Sequence, residues 1–208
     1  SLRAEGEEII SDAVNLFKEE GISADQKLIE HASPAETIVK EAKKEDYDLI
    51  VMGHSGEKEK EPHLGSVAEK VSRHAHSPVL IAKEKNRISK MLVPVDGSES
   101  SEKALQHAVA LAKKTDAKIT LLHVQESRLF GFNPHMTKDI GTRILSHAAG
   151  QAEGIELDQV LESGDPAKVI AQTGDKGDYD IIVMGCKGHS AVGRFLLGDV
   201  SDHVIHYA

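Results

Sequence analysis

The sequence predicts an α/β protein: an open parallel sheet with helices on both faces, built twice along one chain. Three observations carry this. Two apolar runs, Leu49-Ile50-Val51-Met52 and Ile181-Ile182-Val183-Met184, have the unbroken pattern of strands covered on both faces. Each ends in glycine and is followed by helical periodicity, so strands and helices alternate as right-handed crossovers require. The third is a repeat. Pro34-Ala35 through Gly56 returns as Pro166-Ala167 through Gly188 at a constant offset of 132, and Leu64-Gly65-Ser66-Val67 returns as Leu197-Gly198-Asp199-Val200 at 133. A repeat of that length is a duplicated domain, not a solenoid unit.

Copy one, residues 1–87, opens with a helix. From Ala4 to Glu20 the apolar residues Ile9, Ile10, Ala13, Val14 and Phe17 recur at three and four. Gly21 follows as a C′ glycine. Lys27 to Glu30 reads as a short strand, and Ser33-Pro34 begins the next helix, with Ser33 as N-cap and Pro34 at N1. Leu49 to Met52 is a buried strand, Gly53 to Gly65 a loop, Ser66 to His74 a helix and Pro78 to Ile81 a last strand.

Copy two, residues 88–208, begins earlier in the unit. Met91 to Asp96 is a strand; a helix with Ala104, Leu105, Ala108, Val109 and Ala112 on one face follows, then a strand from Ile119 to Val124. The loop Leu129 to Pro134 leads to a helix from about Met136 to Gly150 and a strand from Leu157 to Leu161. Asp165 N-caps the helix that opens at Pro166, and Ile181 to Met184 is the strand that ends in Gly185.

Beyond that strand, two residues separate Gly185 from Gly188 and nine separate Gly188 from Gly198. Glycines at a strand end let a ligand approach without a Cβ in the way, and the freed amides, with the next helix N-terminus, suit phosphate oxygens. A plain strand-to-helix turn would use glycine too; the spacing and its second copy favour the phosphate reading. Strand, Gly-x2-Gly-x9-Gly and helix, with a separate strand ending in Pro94-Val95-Asp96, resemble the universal stress protein family in its tandem form.

The resemblance implies a sheet order of 3-2-1-4-5 in each copy, with a ligand at the carboxyl ends where the order reverses between strands 1 and 4. It implies an adenine nucleotide (AMP, ADP or ATP, the last with Mg²⁺) and a regulatory role in stress response rather than robust turnover. Pro94, Val95, Asp96 and Val124 would border adenine and ribose; Met184, Gly185, Gly188, Gly198, Asp199, Val200 and Ser201 would line ribose and phosphates. In copy one the matching positions are Met52, Gly53, Gly56, Gly65, Ser66 and Val67. The copies would pair about a pseudo-two-fold through their last strands as an intramolecular pseudo-dimer, with a homodimer as the further option.

Two departures stand out. Family members that bind ATP usually carry Ser or Thr after the last glycine; copy two has Asp199, a carboxylate with no proton to donate near neutral pH. Copy one keeps Ser66, but its loop is one residue shorter and carries the charged run 57–61. Copy one also lacks the first strand, helix and second strand, and copy two stops short of a last strand, so in the implied order strand 3 of copy one would have no neighbour. We therefore expect these 208 residues to be part of a longer two-domain protein.

Other readings weigh less. Asp96 could instead cap the turn at Gly97-Ser98. A phosphoacceptor site would need an acidic pair by the first strand, and Lys90-Met91-Leu92-Val93 offers none. His74-x-His76 and His203-x-x-His206 have ligand spacing without a completing Cys or carboxylate, which favours helix-face histidines. Cys186 reads as a small loop residue, Gly-x-Ser-x-Gly is absent, and no catalytic base is evident. Hydrolysis or self-phosphorylation is thus the alternative function, and a scaffold without nucleotide the third.

A net charge of −9 argues against nucleic acid and anionic membranes as partners. No run is long and apolar enough to span a bilayer, and Ser1-Leu2-Arg3-Ala4 starts no signal-peptide core. With one cysteine, the cytoplasm is the expected compartment.

Overall fold

The structure is a computed structural model and describes residues 2–30, 33–54, 64–83, 87–126, 134–186 and 197–207. Gly56, Gly188, the charged run 57–61 and the loop 129–133 lie outside the described residues. Copy one comprises α1 (Leu2–Glu19), α2 (Pro34–Lys44), β1 (Ile50–Gly53), α3 (Ser66–His74) and β2 (Val79–Ala82). Copy two comprises β3 (Lys90–Pro94), α4 (Glu99–Thr115), β4 (Lys118–Glu126), α5 (Pro134–Gly150), β5 (Leu157–Gly164), α6 (Pro166–Lys176), β6 (Ile181–Ile182) and α7 (Asp199–Tyr207).

Every strand pair is parallel, and copy two forms a four-stranded sheet in the order β5-β4-β3-β6. That is the implied 3-2-1-4. The centre belongs to β3, where Met91, Leu92 and Val93 are fully buried. Met91 and Val93 face Leu105 and Ala108 of α4 and Leu145 and Ala148 of α5. Leu92 faces the other way, toward Leu122, Ile170 of α6 and Val204 of α7. The alternation of a strand thus places two helices on each face. Ser98 fixes where α4 begins, its Oγ accepting from Ser101 N–H at 3.2 Å; Asp165 does the same for α6 through Lys168 N–H, also at 3.2 Å.

Copy one supplies the other part of the expected order: β1 pairs with β2 as a separate two-stranded sheet, the 4-5 pair. The repeat extends to backbone detail. Asp46 and Asp178 both adopt the left-handed conformation, with φ of 53° and 49°, and the tyrosine after each donates its N–H five residues back, Tyr47 to Ala42 O and Tyr179 to Gly174 O.

Four expectations are corrected. Lys27 to Glu30 is not a strand: it is irregular and exposed, because no neighbour strand satisfies its backbone among the described residues. The segment Leu49 to Met52 is not buried on both faces. Ile50 packs against α2 and α3 while Leu49 and Val51 are 48% and 59% exposed, since only one face of β1 is covered. Ile181 to Met184 narrows to a two-residue strand with half-buried side chains, because β6 is the sheet edge. Ser33 stands at the N-cap of α2, but its side chain makes no capping bond.

Between the copies, Arg73 of α3 meets Asp202 of α7, with Nη2 2.7 Å from Oδ1 and 3.0 Å from Oδ2. Glu69, the repeat equivalent of Asp202 at the 133 offset, lies 3.2 Å from the same guanidinium nitrogen. Among the described residues β2 pairs with β1 alone, and copy two has no last strand for it to meet. None of the described helices is long and apolar enough to cross a membrane.

Candidate functional site

In copy two the strand sequence reverses between β3 and β6, and Pro94, Val95, Asp96, Met184 and Gly185 stand at or just beyond the carboxyl ends of these two strands. On one side β3 runs out through Pro94 and Val95, both buried. The chain then turns at Asp96, Gly97 and Ser98 into α4. Gly97 has φ of +80°, a conformation a side chain would strain. Asp96 Oδ1 accepts from both Ser98 N–H (3.0 Å) and Ser98 Oγ–H (2.6 Å). The turn-capping role is therefore present in the fold. Asp96 remains half-buried at the mouth of the crevice.

Across the crevice, β6 leads into Met184, Gly185 and Cys186, and two hydrogen bonds stitch this segment to the start of α7. Gly198 N–H donates to Cys186 O at 2.7 Å, and Ser201 Oγ–H donates to Gly185 O at 2.7 Å. Copy one repeats the first of these, with Gly65 N–H donating to His54 O at 2.8 Å. The last glycine of each motif thus closes its loop onto the residue after the first glycine. Gly185 is glycine for a packing reason as well: a Cβ there would sit 2.7–2.9 Å from the backbone and Oγ of Ser100.

Three further predicted residues share one apolar cluster. Val124 of β4, Met184 and Val200 of α7 pack with Leu122, Ile170 and Val204 on the α6–α7 side of the sheet. Asp199 begins α7, where its carboxylate is exposed and complements the helix dipole. In copy one, Met52 and Val67 pack against the small core around Ile50 and Val71, Gly53 ends β1, and Ser66 begins α3 with its side chain exposed. His54 holds a buried Nε2 with no hydrogen-bond partner; burial, then the charges of Lys83 and His206, hold its imidazole below the usual histidine range.

Among the described residues, no group of three His, Cys, Asp or Glu is placed to hold a metal ion. Three of the four paired histidines bond within their own helices. The Nδ1 atoms of His74, His203 and His206 contact carbonyls four residues back, at 2.8, 2.9 and 2.7 Å. Cys186 is exposed, its Sγ 3.8 Å from Ser100 Oγ.

A model of the universal stress protein family matches residues 1–83 and 87–208. The chain belongs to that family. A universal stress protein of Methanocaldococcus jannaschii is 31% identical over 140 residues, covering 62% of this chain and 82% of its own length. One from Synechocystis is 26% identical over 202 residues, covering 95% of this chain and 67% of the relative. The crystal structure of a universal stress protein from Archaeoglobus fulgidus overlays 98% of this chain and 72% of its own, at 30% identity and a TM-score of 0.72.

Two residues of this universal stress protein that border the crevice escaped the sequence reading. Ser100 packs against Gly185 from 85 positions away, and nothing in its local pattern signals that contact. His123 reaches Val95 O through Nδ1 at 2.7 Å. A polar ring inside the apolar run Ile119 to Val124 was the available hint.

Proposed function

We propose that copy two binds an adenine nucleotide in the crevice between β3 and β6, and that the protein acts as a nucleotide-responsive regulator in stress response. The observation that carries this is the convergence of two motifs 90 residues apart in sequence. The strand that runs into Pro94-Val95-Asp96 and the strand that leads to Gly185 are neighbours in the sheet where the strand order reverses, which supports this reading. A base would lie against Val95 and Val124, a ribose would reach Asp96, and phosphates would meet the amides that open α7.

Asp199 biases the site toward AMP or ADP over metal-free ATP; were Mg²⁺ to accompany ATP, Asp199 is the carboxylate that would hold it, and the ion would offset the repulsion. Turnover is not expected to be robust, because phosphoryl transfer needs a positioned water and charge neutralisation. Lys187 and Arg194 are the cations the sequence offers near the motif. Extraction and chromatography of nucleotide from the purified protein, followed by a phosphate-release assay, test this reading. Bound AMP, ADP or ATP supports it. Release faster than about 1 s⁻¹ would replace it with an ATPase.

A second reading has its own support. Asp96 Oδ1 is engaged by Ser98, and Gly185 is closed against Ser100, as a scaffold without nucleotide would have them. Absence of any adenine-nucleotide affinity would favour it.

A further inference from the structure

Helices α3 and α7 are equivalents in the repeat, at an offset of 133, and they meet across the two copies in opposite directions. Arg73, in the last turn of α3, reaches Asp202, in the first turn of α7. At the other end stands His54, onto whose carbonyl Gly65 closes at the start of α3. Its imidazole is held below the usual histidine range by burial, then by Lys83, then by His206 in the last turn of α7. The start of each helix therefore lies beside the end of the other.

The first turn of α7 carries two carboxylates, Asp199 and Asp202, beside the amides to which the nucleotide reading assigns the phosphates. Three residues on, at a helical rise of about 1.5 Å each, Asp202 is a short step along the axis from Asp199. Both charges would repel a phosphate. Asp202, however, is turned toward copy one, its Oδ1 2.7 Å and its Oδ2 3.0 Å from Arg73 Nη2. Its own N–H donates to Gly198 O at 2.9 Å, so its backbone belongs to the loop closure while its side chain belongs to the seam. The pair is part-buried, and water screens it incompletely. Glu69 lies 3.2 Å from the same nitrogen, so one guanidinium stands between two carboxylates. The repeat does not supply this cation twice, because the position equivalent to Arg73 in copy two is His206.

We propose that Arg73 of copy one is a positioning residue for the phosphate site of copy two: it draws the Asp202 carboxylate to the seam and neutralises it, so that a bound phosphate faces the charge of Asp199 and not that of Asp202 as well. The affinity of copy two for a phosphate then depends on contact with copy one, and the seam is the means by which one copy acts on the site of the other. The ligand class is one whose anionic group reaches the start of α7, as AMP does; adenosine, without a phosphate, is indifferent to the pair. This rests on the nucleotide reading above, but the ion pair is testable without ligand.

The test uses wild type, Arg73→Gln, Arg73→Lys, Asp202→Asn and the double variant Arg73→Gln/Asp202→Asn. Titration calorimetry should find AMP weakened about fivefold in Arg73→Gln, the scale of one added charge at a partly screened distance, with adenosine unchanged. Arg73→Lys, which keeps the charge, should retain most of the AMP affinity. The double variant should return AMP to near the wild-type value, because both charges are gone. Asp202→Asn alone, which does not depend on the fold tolerating loss of the arginine, should tighten AMP. In the free proteins, urea denaturation of the two single variants and the double variant should give non-additive losses. Additive losses overturn the inference, since the pair is then not formed in solution. So does an Arg73→Gln variant that weakens adenosine as much as AMP, a double variant that restores nothing, or an Asp202→Asn variant that weakens AMP; each would mean that the residues serve packing and not charge. A wild type that binds neither AMP nor adenosine, with non-additive losses in urea, overturns the nucleotide reading and the role at the phosphates with it, and leaves the pair as a contact between the copies.

Discussion

A carboxylate at the start of α7 is stabilising for the helix and unfavourable for a phosphate, and Asp199 has both effects at once. Against a phosphate oxygen a few ångströms away it costs about 1 kcal/mol in water and about 4 kcal/mol where screening is partial. Amides at a helix start return roughly 0.3–1 kcal/mol each. Asp199 is exposed, which places the repulsion nearer the lower figure. The charge of the ligand then decides: three phosphates suffer more than one unless Mg²⁺ intervenes. Asp199→Ser should therefore tighten ATP by more than AMP in calorimetric titrations without Mg²⁺, and the gap should narrow when Mg²⁺ is added. Equal tightening for the two nucleotides would mean that the carboxylate points away from the phosphates.

At the scale of elements, the site depends on the seam between β6 and α7. β6 is two residues long at a sheet edge, so its own ladder holds the segment after it weakly. Gly198 N–H and Ser201 Oγ–H supply the rest by closing on Cys186 O and Gly185 O. In copy one the residue at the Ser201 position is Ala68, so there the glycine bond lacks this second stitch. Ser201 is 8% exposed, and its removal would leave the Gly185 carbonyl without its donor. Ser201→Ala should cost about 1 kcal/mol in urea denaturation, the usual net value of such a bond. An unchanged midpoint would show that the hydroxyl bonds elsewhere. Sequence showed the strands and helices of this seam, because apolar runs and glycine spacing are local signals. It did not show how well they are covered: the runs Leu49 to Met52 and Ile181 to Met184 carry nearly the same four residues, yet their burial is set by neighbours far along the chain. Asp96 was legible as a candidate ligand group and as a turn cap, and the geometry gives the second without removing the first. Ser100 was not legible at all, since a close approach across 85 residues leaves no periodicity.

For the whole molecule, the internal repeat is a built-in control. Ile181 and Val183 in copy two pack against the cluster containing Met91, Val93, Leu105 and Ala108, so β3 and α4 cover that side of β6. Their equivalents Leu49 and Val51, at the 132 offset, are 48% and 59% exposed, and the described part of copy one contains no such strand and helix. Asp180 shows the same contrast. Its Oδ2 accepts from Ser89 N–H, Ser89 Oγ–H and Lys90 N–H at 2.8–3.0 Å, whereas the equivalent Asp48 is exposed. One substitution should therefore have two costs. Val183→Ala removes methyl groups from a half-buried site whose N–H is also held by Leu92 O at 2.9 Å, and should destabilise by about 1 kcal/mol. Val51→Ala removes the same atoms from a mostly solvated face and should stay within about 0.5 kcal/mol. Chemical denaturation of the two variants beside the parent measures both. The inequality follows from coverage, since residue type and position in the repeat are the same in the two copies. Equal losses would mean that the outer face of β1 is covered in solution as β6 is, and that copy one does not stand open.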